Sequence, residues 1–383
     1  MRVCLYQEGL EQMRRISKSG ITAAFEHLKE ALRAACVPYT TKIEGGEFDI
    51  LHINLGIGPL SKYYAEKYKK LRKRVIIHAH STAEDFEGSF RFSKRLKPVL
   101  RKVLPFFYGS ADLILCPSAY TKGLLRSYGL RNEIKVISNG VNVRKYATSS
   151  RKRSEYRRKE GIKNGSVLVF CVGHVFSKKG ALDFARIAEE MPQFHFRWFG
   201  TVYNNLFVDY GQLKKYLKKP PANLKFTGFY KDVLKAYSAG DIFLFPSYDE
   251  NQGIVILEAA ACGKPIIVRN IPVYEGWLVD GENCLKARSN AEFKRCIQRI
   301  ASDAKLKKRL VKGARKLAEE NSIEKIGKKL KGIYEKLLAK RRRIKRKKPF
   351  LSQRFFAGVK SRGKKFKFRK ELLRRLPILG LRR

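Results

Sequence analysis

The sequence predicts an α/β protein of two doubly wound domains facing one cleft, followed by a basic tail. Three observations predict it. Short β-branched runs alternate with longer amphipathic stretches, the pattern of parallel sheets covered by helices on both faces. The alternation runs once, is interrupted by a polar basic stretch, and then runs again. A chain of 383 residues is long enough to give each half its own core.

In the first half, strands are expected near Val3–Tyr6, Ile50–Asn54, Val75–Ala79, Leu113–Cys116 and Lys135–Ile137, with amphipathic segments such as Ile21–Ala35 and Tyr120–Tyr128 between them. Thr148–Lys163 is polar, basic and poor in large apolar residues, and reads as a linker. The second half has strands near Val167–Val172, Phe194–Phe199, Leu224–Thr227, Ile242–Pro246 and Pro265–Arg269. Helices are expected at Ala181–Glu190, Lys231–Ser238 and Ile254–Cys262, and a mostly helical pattern runs from Asn290 to Lys340. The expected domains are therefore 1–148, a linker over 149–165, a second domain over 166–335 whose last helices pack back toward the first, and a tail over 340–383. Ligands of such folds bind at the carboxyl ends of the strands, near helix N-termini.

Charge narrows the partners. There are 83 Lys and Arg against 34 Asp and Glu, a formal net of +49. Such a surface attracts a polyanion, either nucleic acid or anionic lipid, unless it serves solubility alone. The tail over 340–383 holds 20 Lys or Arg with Glu371 as its one acid, interleaved with Phe350, Phe355, Phe356, Phe366 and Phe368. Phe90–Tyr108 combines aromatic and aliphatic residues with six Lys or Arg and no acid. Both suit an anionic membrane interface, where each basic residue contributes about 1 kcal/mol. RNA contact through phosphates and base stacking is the competing reading, and no RRM, KH or zinc-finger motif is present to support it. No apolar run reaches the roughly 20 residues that span a bilayer. MRVCLYQEG enters a strand directly, so no signal peptide is expected. The seven cysteines are scattered without a CxxC pair, which fits reduced residues of a cytosolic protein.

The chemistry is concentrated in Phe245–Cys262, FPSYDENQGIVILEAAAC. A buried strand ends at Pro246, a polar loop follows, and an apolar helix begins near Gly253. Unpaired N–H groups from about Asn251 through Gln252 and Gly253 to Ile254 suit a diphosphate or a sugar hydroxyl. Glu258 can accept two hydrogen bonds from the vicinal hydroxyls of a ribose. Glu250 can accept from a transferred sugar or favour its positive charge. Taken alone, two glutamates around a strand–helix turn are more often structural, Glu250 as a helix N-terminal acid and Glu258 as the partner of a lysine.

The spacing of Glu250 and Glu258, with seven residues between them after an FPS strand end, resembles the signature of glycosyltransferase family 4, whose members are retaining enzymes of GT-B architecture with two Rossmann-like domains. The resemblance continues through GKPIIVRNIPVYEGWLVDGENC, which is similar to the subgroup making glucosyl and diglucosyl diacylglycerols. VIIHAHST, SADLILCPSAYTKGLL, KVISNGVN and CVGHVFSKKG fall in the family order, so the likeness covers about residues 1–335.

The resemblance implies roles residue by residue. Lys179 would neutralise the donor diphosphate, with Lys178 as a second cation because His174 stands where the family often has arginine. His80 would bond a hydroxyl of the donor sugar, with His78 as its competitor. Gly20 would belong to a loop touching donor phosphate and acceptor. The implied catalytic set is Glu250, His80 and Lys179, and the donor-binding set is Glu258, Lys178, Gly20, Asn251, Gln252, Gly253 and Ile254. No metal or other cofactor is expected, since lysines supply the positive charge. The implied reaction moves glucose or galactose from a UDP-sugar to a lipid acceptor at the inner face of the cell membrane. A polysaccharide or another lipid-linked acceptor is the alternative within enzymes, and a non-catalytic basic scaffold the alternative outside them.

Overall fold

The computed structural model describes residues 1–10, 20–87, 93–203 and 210–346. Strands β1 (Val3–Tyr6), β2 (Tyr39–Thr40), β3 (Ile50–Asn54), β4 (Arg74–His78), β5 (Leu113–Cys116) and β6 (Glu133–Val136) form one sheet in the order β2-β1-β3-β4-β5-β6. Strands β7 (Leu168–Val172), β8 (His195–Phe199), β9 (Leu224–Phe226), β10 (Ile242–Phe245), β11 (Ile266–Arg269) and β12 (Leu285–Ala287) form another in the order β12-β11-β10-β7-β8-β9. Every pair is parallel. Parallel pairing needs crossovers that cover both faces, so central strands such as β7, LVFCV, are apolar throughout and fully buried. β3, ILHIN, is equally buried but carries His52 and Asn54, two polar groups that must find partners inside.

The expected strands lie within two residues of the observed ones. The edge strands β2 and β12, two and three residues long, are too short to leave a periodic signal.

The stretch expected to be a linker contains a helix, Ser150–Lys159. It has almost no apolar stripe because ion pairs dock it. Arg153 and Arg157 reach the two oxygens of Asp241 at 2.7 and 3.1 Å, and Arg157 also donates to the carbonyls of Lys163 and Ser166. Ser149 caps its first turn by accepting from the Lys152 amide. The helix Ser93–Tyr108 contains both Pro98 and Pro105.

The last helix, Ile323–Arg346, follows the second domain yet supplies the first domain's core. Ile323, Ile326, Leu330, Tyr334 and Leu337 recur along one face and pack with Val3, Leu5, Phe25, Leu28 and Leu32. Gly327 sits where this helix meets Gly20–Ala34: a Cβ there would lie 2.1 Å from the Ala31 carbonyl oxygen. The aromatic residues named in the basic tail, Phe350 to Phe368, lie outside the described residues.

Glycine in a helix interior is ordinarily worth about 0.5–1 kcal/mol less than alanine. At Gly327 the sign reverses, because the added methyl strikes backbone. Gly327→Ala is expected to destabilise the protein by about 1–3 kcal/mol in urea unfolding. An unchanged or raised midpoint would contradict the close crossing.

Candidate active site

Parallel order places the carboxyl ends of each sheet on one side, and the two ends meet. The 3₁₀ turn Ser177–Lys179 after β7 and the loop after β10 are bonded together: the Tyr248 amide donates to the Lys178 carbonyl at 2.9 Å. Gly180, at φ 78°, permits this contact, since a Cβ there would lie 2.3 Å from the Pro246 carbonyl oxygen. Arg269 braces the loop from beneath. It donates to the Pro246 carbonyl and to Asp183, which also accepts from the Tyr248 hydroxyl at 2.6 Å.

Those contacts bring Lys179 Nζ to 2.6 Å from Glu250 Oε1. Burial pulls the Lys179 pKa down, but Glu250, Asp85 and Asp249 outweigh it and hold the ammonium above its usual value. The site therefore carries a fixed cation beside a carboxylate.

The same loop reaches the first domain. Asn251 Nδ2 donates to the His80 carbonyl at 2.8 Å, and the Asn251 side-chain oxygen lies 3.3–3.4 Å from the hydroxyls of Thr121 and Thr82. Gln252 accepts from the Asn139 amide at 3.0 Å and donates to Ser138 Oγ at 2.8 Å. Lys178, buried, donates to the Asp85 carbonyl at 2.6 Å and pairs with the carboxylates of Asp85 and Asp249 at 3.2 and 3.1 Å. Three residues expected to touch the donor thus use their side chains to join the two domains.

His80, just beyond β4, lies in a column of rings: His78 stacks on it at 4.1 Å and His52 on His78 at 5.7 Å. His80 Nε2 is 2.7 Å from Asn54 Oδ1, while Asn54 Nδ2 donates to Gln7 Oε1 at 2.7 Å. With the Asn54 amide donating toward Gln7, its oxygen accepts from His80, which places the imidazole proton on Nε2. At the far end of the column His52 Nδ1 meets the Tyr334 hydroxyl at 2.7 Å. Burial lowers His80 to about 4, and burial with a smaller push from His80 lowers His52 to about 3. His78 is also lowered by burial and by both neighbours. His174 is lowered to about 4 by burial and then by Lys179, so at neutral pH it adds no second cation.

Glu258, in the helix Ile254–Ala261, is buried and accepts from two tyrosines, Tyr146 at one oxygen and Tyr237 at the other, both at 2.6 Å. Gly253 precedes that helix at φ 86°, a left-handed conformation that favours glycine, and Ile254 opens its first turn. Gly20 starts the helix Gly20–Ala34, and a Cβ there would meet nothing within 4 Å. Gln7, Asn54, Tyr146, Tyr237 and Asp85 were not expected. Gln7 and Asn54 could have been suspected as polar residues at the ends of buried strands; the tyrosines carry no such signal. Among the described residues, no group of three or more His, Cys, Asp or Glu is placed to hold a metal ion.

Two parallel α/β domains meeting at their carboxyl ends around a loop–helix N-terminus and a lysine define a glycosyltransferase of GT-B architecture. Comparison with known proteins places it further. Residues 19–145 match the family model Glycosyltransferase Family 4, and residues 152–317 match Glycosyl transferases group 1. The chain is 34% identical over 343 residues to the processive diacylglycerol alpha-glucosyltransferase of Acholeplasma laidlawii, covering 88% of this chain and 99% of that protein. It is 27% identical to the alpha-galactosylglucosyldiacylglycerol synthase of Streptococcus pneumoniae, covering 86% and 89%. Among solved structures, Anabaena HepE in complex with UDP-glucose superposes with a TM-score of 0.67 at 18% identity, covering 88% of this chain and 100% of that one. The chain belongs to glycosyltransferase family 4.

The histidine column makes a stability prediction. The unfolded chain takes up protons on these histidines below about pH 6.5, whereas in the folded chain His80 refuses its proton until about pH 4 and His52 until about pH 3, and burial holds His78 well below its ordinary value. Their contribution is thus complete above about pH 6.5 and is lost as pH falls toward 4, by about 1.4 kcal/mol per pH unit for each histidine. Urea unfolding across that range should show the fall, and His78→Phe should make it shallower by one histidine's share. Identical slopes in both proteins would contradict neutral burial of His78.

Proposed function

We propose that this chain transfers a hexose, glucose or galactose, from a UDP-sugar to a membrane lipid such as diacylglycerol or its monoglycosyl derivative, with retention at the anomeric carbon. The observation that carries it is the Lys179–Glu250 pair, held at 2.6 Å where the two sheets meet and tied to His80 through Asn251. Departure of the nucleotide diphosphate builds negative charge on its bridging oxygen. Lys179 stabilises that charge, and the first turn at Gly253–Ile254 adds backbone N–H groups. Glu250, freed from Lys179 as the diphosphate takes over the cation, favours the positive charge on the sugar. His80 stays neutral, with Nε2–H engaged by Asn54, and offers Nδ1 as an acceptor for a sugar hydroxyl. Glu258, with each oxygen fixed by one tyrosine, keeps a lone pair on each for the ribose hydroxyls. No step needs a metal ion.

The lipid acceptor is favoured by the names of the two curated relatives and by the surface of the first domain. On the helix Ser93–Tyr108, Leu96, Val99, Val103 and Phe106 follow a 3-4-3 spacing and all face solvent, with Phe106 61% exposed. Lys62 lies 4.0 Å above the Phe106 ring, and Leu60 and Tyr63 on the neighbouring helix are also exposed. Apolar side chains ringed by lysines suit insertion into an anionic interface. No helix among the described residues is long and apolar enough to cross a membrane, so attachment is peripheral in this reading.

The test is transfer from labelled UDP- and GDP-sugars to anionic vesicles containing diacylglycerol or its monoglucoside. An α-linked glycolipid from a UDP-hexose is expected, and Lys179→Met should lower its rate by about a hundredfold or more. Transfer only to soluble saccharides would overturn the acceptor; undiminished turnover in Lys179→Met would overturn the role of that lysine.

A further inference from the structure

At the opposite end of the second sheet a cavity of about 490 Å³ opens, lined by residues from the start of the Ser150–Lys159 helix, the turns before β10 and β11, and the helix Ala304–Glu320. β10 and β11 are four residues long, so at about 3.3 Å per residue this end is separated from the Glu250 loop by about 13 Å or more.

The lining is unbalanced in charge. Arg153, Lys264 and Lys307 face it, with Asp241 as the one carboxylate. That carboxylate is already shared: Oδ1 accepts from Arg153 at 2.7 Å, and Oδ2 accepts from Arg157 at 3.1 Å and from the Leu168 amide at 2.8 Å. Lys264 Nζ is left with the neutral carbonyl of Gly240, at 2.8 Å. Arg315 lies beside Gly263, where a Cβ would be 2.6 Å from its Nε, but it does not line the cavity. Burial lowers the Lys264 ammonium to about 8, and Arg153 and Lys307 push in the same direction against the pull of Asp241. Ordinary surface lysines spread apart in water. Here one is held inward beside other cations, an arrangement that disfavours its own charge unless an anion joins it.

We propose that this cavity is a binding site for a phosphate group, with Lys264 and Lys307 as its principal ligands, Arg153 as a third cation, and the hydroxyls of Thr148 and Ser150 on its rim. Phosphate matches the site because it presents several acceptor oxygens to converging N–H donors. The site is separate from the place where the donor diphosphate would bind and does not depend on that reading. Its phosphate could be free or could belong to an anionic lipid headgroup.

The experiment is calorimetric titration of the full chain with inorganic phosphate, UDP being kept saturating to mask the region between the domains. Saturable uptake of one equivalent is expected. Lys264→Met should weaken it tenfold or more, and so should Lys307→Ala, whose exposed position on its helix spares the fold. Lys179→Met should leave it unchanged. No saturable uptake, or wild-type affinity in both Lys264→Met and Lys307→Ala, would overturn the site, as would loss of uptake in Lys179→Met. A competing titration with soluble short-chain phosphatidylglycerol identifies the source. Tighter binding than inorganic phosphate, lost in Lys307→Ala, assigns a lipid headgroup; weaker binding assigns free phosphate, and both keep the site.

Discussion

Two parallel sheets make one site only if their carboxyl ends are held face to face, and in this chain that task falls to the loop between β10 and the helix Ile254–Ala261. Successive side chains of the loop turn to different partners. Tyr248 goes to Asp183, Asp249 to Lys178, Glu250 to Lys179, and Asn251 and Gln252 cross to the first domain. The crossing contacts are polar, and each is worth only about 0.5–1.5 kcal/mol net. Polar junctions of this kind favour domains that separate and rejoin. The loop that carries Glu250 is therefore also the one that registers whether the domains are together.

Electrostatics at that junction follow from burial. Lys179 keeps its charge because carboxylates surround it, whereas the histidines lose theirs because desolvation has no such opposition. The result is a charged Lys179 beside neutral imidazoles. In the proposed reaction a donor diphosphate entering the cluster would compete with Glu250 for Lys179, and the exchange would place negative charge on both sides of the reacting sugar.

Much of this was legible in the sequence. Buried parallel strands are apolar runs, and the strand–loop–helix carrying Glu250 and Glu258 resembles its family closely. What the sequence hid are partners distant along the chain. Glu258 is fixed by Tyr146, 112 residues away, and His80 by Asn54, 26 residues away, through single hydrogen bonds that leave no period or spacing. Asn251 and Gln252 were expected at the donor because they flank Glu250, and Lys178 as a second cation in place of an arginine; the side chains of all three bridge the domains. The helix Ser150–Lys159 was read as a linker because an arginine–aspartate cluster docks it where an apolar stripe would ordinarily be seen.

The coupling of the loop to both domains is tested most directly by the kinetics and donor affinity of Asn251→Ala. Its amide bonds run to His80, Thr82 and Thr121, all in the first domain. Loss of those bonds should lower kcat roughly tenfold while UDP affinity stays near that of the unaltered protein. Unchanged kcat with weakened UDP binding would contradict the account, and would make Asn251 a donor ligand.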